Sequence, residues 1–417
     1  MSIQINKNVT LHYIPMEKLK TSAMGIYIHR PLCSEEAAMA GLLPFVLKRG
    51  CKLCPTTEEI THYLDNLYGA DLRAGVLKKG VDHIISFTCD SISEKYAPYN
   101  EPLFSDLTEL MMSVLLEPVT ENDGFLEKVV EQEKKNAIER VESIKNDKRS
   151  YAAWKCSTHM FEGTELAISK YGTVEEIAAI TPSALYEYYK KILTQSPIDI
   201  YLTGEWNCEK IAEIIKNRLS FLEYQDSSIL KTKPFSKNRD IRYFEEKMDV
   251  AQGKLSMGFT TDCSAEDDDY WALMVANSIF GAGAHSKLFN NVREKLSLCY
   301  YASSGMDRYT GVINVNAGIE FENYQKAYDE ILVQLKNLQN GEVSELEYVS
   351  SINALTNSLK SCLDDQYAMQ SFALSEHVSG QERTLDYVID KIKNVSVEDA
   401  VAASKRIKLD TVYFLKA

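Results

Sequence analysis

No window of this 417-residue sequence approaches the roughly 18 consecutive apolar residues that a bilayer-crossing helix needs, so nothing is expected to span a membrane. Cations are also in short supply. Against 60 acidic side chains stand 46 lysines and arginines, and the net charge of −14 leaves no positive excess to neutralise the phosphates of a nucleic acid. Histidine is scarce, with His12, His29, His62, His83, His159, His285 and His377 making up the 7. None stands four residues from another with a glutamate between them, so H-E-x-x-H and H-x-x-E-H are both absent. A G-x-S-x-G elbow, a Walker loop and a G-x-G-x-x-G fingerprint are missing too. The 9 cysteines are odd in number and scattered, which suits reduced thiols better than a disulfide framework. Cys51 and Cys54 form the single C-x-x-C, without the second pair of a zinc ribbon or the βαβ setting of a redox site. The opening Met1 to Lys7 has no basic segment leading into an apolar run, so no secretory signal is expected and the expected compartment is the cytoplasm.

What is present is an ordinary globular composition, 45% hydrophobic and 25% charged, in a chain too long for one compact core. Alternation predicts strands over Asn8 to Tyr13 and Ser22 to His29. Ser34-Glu35-Glu36 reads as the start of a helix that Gly50 closes, and a second runs from Thr57 to Gly69. Strands over Asp71 to Val76 and His83 to Cys89, helices over Leu103 to Leu116 and Phe125 to Ile144, a helix opened by Pro182 and a strand over Ile198 to Leu202 complete the first block. The apolar rhythm then fades between Glu223 and Asp240, the best linker candidate. Beyond it the order returns. A strand (Lys254 to Thr260) leads into helices (Tyr270 to Phe280, Lys287 to Lys295), two strands (Tyr300 to Ser304, Val312 to Ile319) and a helical run. The expected fold class is α+β: two homologous domains, residues 1–222 and 241–417, each a mainly antiparallel sheet with helices packed on one side.

Several groups that could suggest chemistry have a plainer reading. Glu266-Asp267-Asp268-Asp269 lacks the spacing of a calcium loop and reads as acids at a helix start. Glu376-His377 has no second partner nearby in sequence and reads as a solvated helix end. From spacing alone the chain has no catalytic residues.

The stretch Asn277 to Tyr300, N-S-I-F-G-A-G-A-H-S-K-L-F-N-N-V-R-E-K-L-S-L-C-Y, resembles the second-domain signature of the insulinase/pitrilysin metallopeptidases: a glycine loop, S-[RK]-L-F, V-R-E-K and a tyrosine. Gln252-Gly253-Lys254-Leu255 through Gly258-Phe259, Ala40 to Gly50, and Thr57-Glu58-Glu59-Ile60 through Leu67-Tyr68-Gly69-Ala70 extend the likeness over nearly the whole chain. In active members of that family H-x-x-E-H binds zinc and activates its water. Aligning Arg49-Gly50 with the family's basic-glycine ending puts Gly41 and Phe45 where the histidines would stand and Pro44 where the glutamate would stand. The third ligand, a glutamate seven residues after another, falls on Arg140 with Glu133 at the earlier position. None of these four offers a lone pair to a cation, and Pro44 removes a helix amide and is expected to kink its helix. No metal or other cofactor is therefore expected.

The resemblance implies that Arg293 and Tyr300, seven residues apart, hold the scissile region of a peptide, with Gly281 and Gly283 letting the loop backbone approach it. A chain with a degenerate zinc half and an intact substrate-holding half is similar to the zinc-less subunits of bacterial two-component members, a group associated by label with elongation factor P modification. The implied partners are a homologous subunit bearing H-x-x-E-H and a peptide substrate, and the purified chain is expected to have neither zinc nor peptidase activity. The rival expectation is a non-enzymatic scaffold or peptide-binding protein of the same fold, comparable to the family's inactive core proteins in respiratory complexes. A neighbouring gene for an H-x-x-E-H chain would separate the two.

Overall fold

The computed structural model describes residues 1–99, 101–237 and 239–417; Asn238, inside the expected linker, and Asn100 lie outside the described residues. The chain forms two compact units. The first comprises Met1–Glu142, Ile168–Lys231 and Cys362–Val378, and the second Ser143–Ala167, Thr232–Ser361 and Ser379–Ala417.

In the first unit six strands, β1 (Ser2–Gln4), β2 (Val9–Pro15), β3 (Thr21–Pro31), β4 (Asp71–Lys79), β5 (Asp82–Ile92) and β6 (Ile198–Gly204), make a sheet in the order β1-β2-β6-β3-β5-β4. Every pairing is antiparallel except that of β2 with β6. Alternation sends Ile198, Ile200 and Leu202 of β6, with Ile26 and Ile28 of β3, into an apolar core shared with the helices Ser34–Leu47, Leu103–Leu116 and Cys208–Leu219. The same alternation turns Asp199 and Tyr201 of β6 and Tyr27 of β3 to the opposite face. That face is covered by the helix Gln366–Val378, where Gln370 accepts a 3.0 Å bond from the Tyr27 hydroxyl and donates one of 3.0 Å to Thr203 Oγ1. Gly25 is required beneath it, since a Cβ there would stand 2.5 Å from Gln370 Oε1. All seven residues of β6 are buried, as a strand covered on both faces must be.

The second unit holds β7 (Arg242–Lys247), β8 (Gly253–Thr260), β9 (Cys299–Met306), β10 (Ile313–Ile319) and β11 (Lys408–Lys416) in the order β9-β10-β8-β11-β7. Only β11 with β7 is parallel among these pairings. This repeats β4-β5-β3-β6-β2 strand for strand, including the position of the parallel pair. Here the helix Lys148–Met160 lies on β8 and β11, with Tyr151, Ala152 and Cys156 packed among Tyr413, Leu415 and Val250.

The fold is α+β; among the described residues the two large sheets are antiparallel apart from one pair each, and Thr120–Glu121 with Gly124–Phe125 make a small third one. The units differ from the contiguous halves 1–222 and 241–417 by an exchange: Lys148–Met160 serves the second unit and Gln366–Val378 the first. The helix expected from Ser34 runs from Ser34 to Leu47 with Cys33 as its extended N-cap, and it continues through Pro44 for its last turn. The next helix begins with a capping box in which Thr56 and Glu59 satisfy each other's backbone amides. The strands β1, β7 and β11, and the two exchanged helices, are elements that the sequence reading did not contain.

Candidate functional site

The helix Ser34–Leu47 carries Gly41, Pro44 and Phe45, and the helix Glu127–Ser143 carries Arg140; the structure brings them together. The Arg140 guanidinium carbon lies 3.9 Å from the centre of the Phe45 ring and 5.6 Å from that of Tyr171. A stacked cation of this kind contributes about 1–2 kcal/mol where it is partly desolvated. Gly41 faces the backbone of the next segment: a Cβ would meet Tyr171 Cα at 3.0 Å and the Lys170 carbonyl at 3.2 Å. Glu133, about two turns before Arg140 and buried, accepts a 2.6 Å bond from Arg49 Nε and one of 3.1 Å from Asn136 Nδ2. Its carboxylate is committed to Arg49, the residue of the basic-glycine ending.

In the second unit the helix Tyr270–Phe280 ends at Gly281, whose carbonyl accepts the Ser304 amide at 2.9 Å. A Cβ on Gly281 would lie 2.6 Å from Ser304 Oγ and 2.7 Å from Leu288 Cδ1, so the chain's own packing demands glycine there. Gly283 has φ of +136°, a backbone that side chains rarely adopt. Ser286 then bonds the Gly283 carbonyl through its hydroxyl at 2.7 Å, and buried Lys287 pairs with Glu347 at 3.0 Å. The segment that follows, Leu288–Lys295, is a π-helix, wider than an α-helix, and its last turn closes with Leu296 N donating to the Asn291 carbonyl at 3.2 Å. Arg293 sits on it, 4.7 Å over the Phe289 ring with 40% of its side chain exposed. Ser297, at φ +50°, turns the chain sharply, and Tyr300 emerges on β9, the edge strand, 64% exposed. Its hydroxyl donates to Glu320 Oε1 at 3.0 Å, and that bond raises the phenol's pKa, so the group stays a neutral donor.

A Bacillus subtilis protein described as a probable inactive metalloprotease, YmfF, is 32% identical over 408 residues, 98% of this chain and 96% of that one. The chain belongs to the M16 peptidase family. A family profile described as the peptidase M16 inactive domain matches residues 179–355. A conserved protein from Enterococcus faecalis V583 superposes with a TM-score of 0.92 at 29% identity, covering 100% of this chain and 98% of that one. The M16 inactive-domain structure from Pseudomonas fluorescens does so with 0.81 at 16%, covering 100% and 98%, a likeness of fold. M16 peptidases work through a zinc ion, and the aligned residues here do not fit one. Glycine, proline and phenylalanine supply no ligand atom, Arg140 places a positive charge beside them, and the space at Gly41 is taken by the 170–171 backbone. The chain is an inactive M16 member. No helix among the described residues is long and apolar enough to cross a membrane.

One group of residues went unread in the sequence. His377 is not a solvated helix end: its Nε2 lies 3.2 Å from Asp199 Oδ2, and Glu376 beside it is buried. His12 Nε2 stands 2.9 Å from Asp199 Oδ1, and His29 bridges Asp82 at 2.7 Å and Asp199 at 3.1 Å. Burial opposes a charge on His29, but its contacts with Asp199 and Asp82 outweigh that and push its pKa up to about 9. Burial likewise works to raise Asp199, yet the bond to His12 and the contacts with His29 and His377 hold it well below the usual carboxylate range. The only signal in the sequence was polar residues alternating with apolar ones in β2, β3 and β6, which marks a sheet face and names no partner.

Proposed function

We propose that this chain is the non-catalytic, substrate-holding subunit of a two-chain M16 peptidase, in which a homologous partner bearing H-x-x-E-H supplies the zinc and this chain presents Arg293 and Tyr300 to the peptide. The observation that carries the reading is a contrast within the chain. Side chains without ligand atoms fill the positions aligned with the zinc site, while a guanidinium and a phenol in the family's own motif stand open to solvent.

The chemistry of the donors suits the role. When water attacks a peptide carbonyl, negative charge gathers on its oxygen, and fixed N–H and O–H donors lower the barrier by stabilising that charge more than the ground state. The Arg293 guanidinium offers several N–H donors in a fixed fork. Tyr300, kept protonated by its bond to Glu320, offers one O–H that a substrate carbonyl could take over from the carboxylate. The π-helix holds Arg293 by stacking on Phe289 and is anchored by the Lys287–Glu347 pair, so the cation is presented from a braced segment.

The test is peptide cleavage by the reconstituted pair. The chain alone, with zinc added, should cleave nothing; mixing with the H-x-x-E-H partner should produce activity. Arg293→Ala in that mixture should lower kcat/KM by about 100-fold, the effect of removing one charge-stabilising donor. Tyr300→Phe should lower it by about tenfold, as expected for loss of one neutral hydrogen bond. Cleavage by the chain unaided, or an Arg293→Ala complex with full activity, would sink the proposal.

A further inference from the structure

We infer that His12, Asp199 and His377 form a binding site for one divalent transition-metal ion, zinc by its chemistry, which ties the helix Gln366–Val378 to β2 and β6. The site is remote in kind from the aligned zinc positions of the family. It lies on the face of the first sheet opposite the core that the Ser34–Leu47 helix helps to build, and the absence of metal expected from that helix says nothing about it.

Three ligand atoms, two imidazole nitrogens and a carboxylate oxygen, lie within 4.8 Å of one another. In a tetrahedral zinc site with bonds of about 2.0–2.1 Å, neighbouring ligand atoms stand about 3.3 Å apart. Asp199 meets His12 Nε2 through Oδ1 at 2.9 Å and His377 Nε2 through Oδ2 at 3.2 Å, so each imidazole is close to that separation from one of the two carboxylate oxygens. Two nitrogens with one oxygen suit zinc among the common ions, since magnesium and calcium prefer oxygen alone. Asp199 is nearly buried, its side chain 5% exposed, and its Oδ2 has no aligned hydrogen bond among the described residues despite the histidine nitrogens beside it. A buried carboxylate oxygen whose imidazole neighbours at 3.1 and 3.2 Å are not aligned as hydrogen-bond donors is placed as a metal ligand would be.

The surroundings have the second layer that metal sites need. A ligating imidazole must carry its proton on the other nitrogen, held by an acceptor. His12 Nδ1 lies 3.0 Å from Ser2 Oγ, which can accept that proton's hydrogen bond, and the His12 ring is stacked on Tyr201 with centroids 4.5 Å apart. On the far side, His29 is fixed between Asp82 and Asp199, so the carboxylate has its orientation set from behind. His12 is 15% and His377 35% exposed, an opening through which an ion can enter and a water can complete the coordination.

Two observations on the intact chain decide it. Protein stripped of metal by a chelator is titrated with Co(II), followed by its visible absorption, and then with Zn(II) in competition. One equivalent of Co(II) displaced by zinc, together with a rise in Tm on zinc addition, is expected. His12→Ala and His377→Ala should each weaken binding by more than about 100-fold, a larger effect than loss of an outer-layer partner, while His62→Ala, an exposed histidine elsewhere, leaves it unchanged. Should His12→Ala fail to fold, His377→Ala and His377→Cys decide: the thiolate should restore binding and add a sulfur-to-cobalt charge-transfer band. No saturable binding by the wild-type chain, or binding undiminished in His377→Ala, overturns the inference. Neither result depends on peptide cleavage, so this site and the proposed function stand or fall separately.

Discussion

At the scale of single residues, the positions that matter are those whose surroundings contradict their type. Gly41 is tolerable in a helix only because the neighbouring backbone leaves no space for a side chain, and Arg140 is tolerable near an apolar helix because two aromatic faces receive its charge. His83 is the clearest case with a pH signature. It is almost fully buried on β5, and its Nε2 has no hydrogen-bond partner among the described residues. Burial first, then the nearby charges of Lys170 and Lys78, push its pKa down to about 4, against a hydrogen bond to the Lys170 backbone. Above pH 6.5 the ring is neutral whether the chain is folded or not. As pH falls from there towards 4, the unfolded chain takes up a proton that the folded one refuses, so stability is lost across that window. The loss from this one group is about 3 kcal/mol. Urea unfolding of wild type and His83→Leu across this range should show the difference between them changing by that amount, with wild type losing ground as the solution becomes more acid. A difference that stays constant with pH would mean that His83 does not titrate as described.

At the scale of elements, the helix Gln366–Val378 shows how much a short segment can decide. Its amphipathic pattern is weak because the face it turns to the sheet carries polar residues with work to do: Gln366 bonds Thr21, Gln370 bonds Tyr27 and Thr203, and Tyr367 stacks under Arg73. Gln370→Leu preserves volume but leaves the Tyr27 hydroxyl and Thr203 Oγ1 buried without these bonds. It should destabilise the fold by about 2 kcal/mol, readable as a shift in the urea midpoint, whereas an exposed change such as Ser371→Ala on the same helix should cost almost nothing. The π-helix makes the complementary point. The sequence reads Lys287 to Lys295 as a helix without distinguishing its winding, and the structure has a π-helix over Leu288–Lys295, flanked by contacts of Lys287 with Glu347 and of Asn291 with Gln334, both far along the chain.

At the scale of the whole molecule, each unit is completed by a helix from the other half of the sequence. A fragment of residues 1–231 therefore lacks the cover over Tyr27, Tyr201 and the Asp199 cluster, although it contains every strand of its sheet. The expected result is a fragment that binds a hydrophobic dye and melts broadly, and that sharpens when a peptide of residues 362–378 is added. Heteronuclear NMR of the fragment would check it: a dispersed, wild-type-like spectrum without the peptide would show that the helix is dispensable.

Local pattern determined a good deal by itself. Alternation placed the central strands, apolar spacing and caps placed most helices, and the motif running from Asn277 to Tyr300 led to the family. The residues aligned with the zinc ligands could be judged unfit from their identity alone, because ligand atoms either exist on a side chain or do not. Tertiary structure decided the rest. The exchange of helices, the parallel pairing of β2 with β6 and of β11 with β7, and the meeting of His12, Asp199 and His377 all join residues separated by long stretches of chain. Periodicity reports which way a side chain faces relative to its own backbone. Which other segment comes to lie against that face depends on the free energy of packing the whole chain, and no local window contains it.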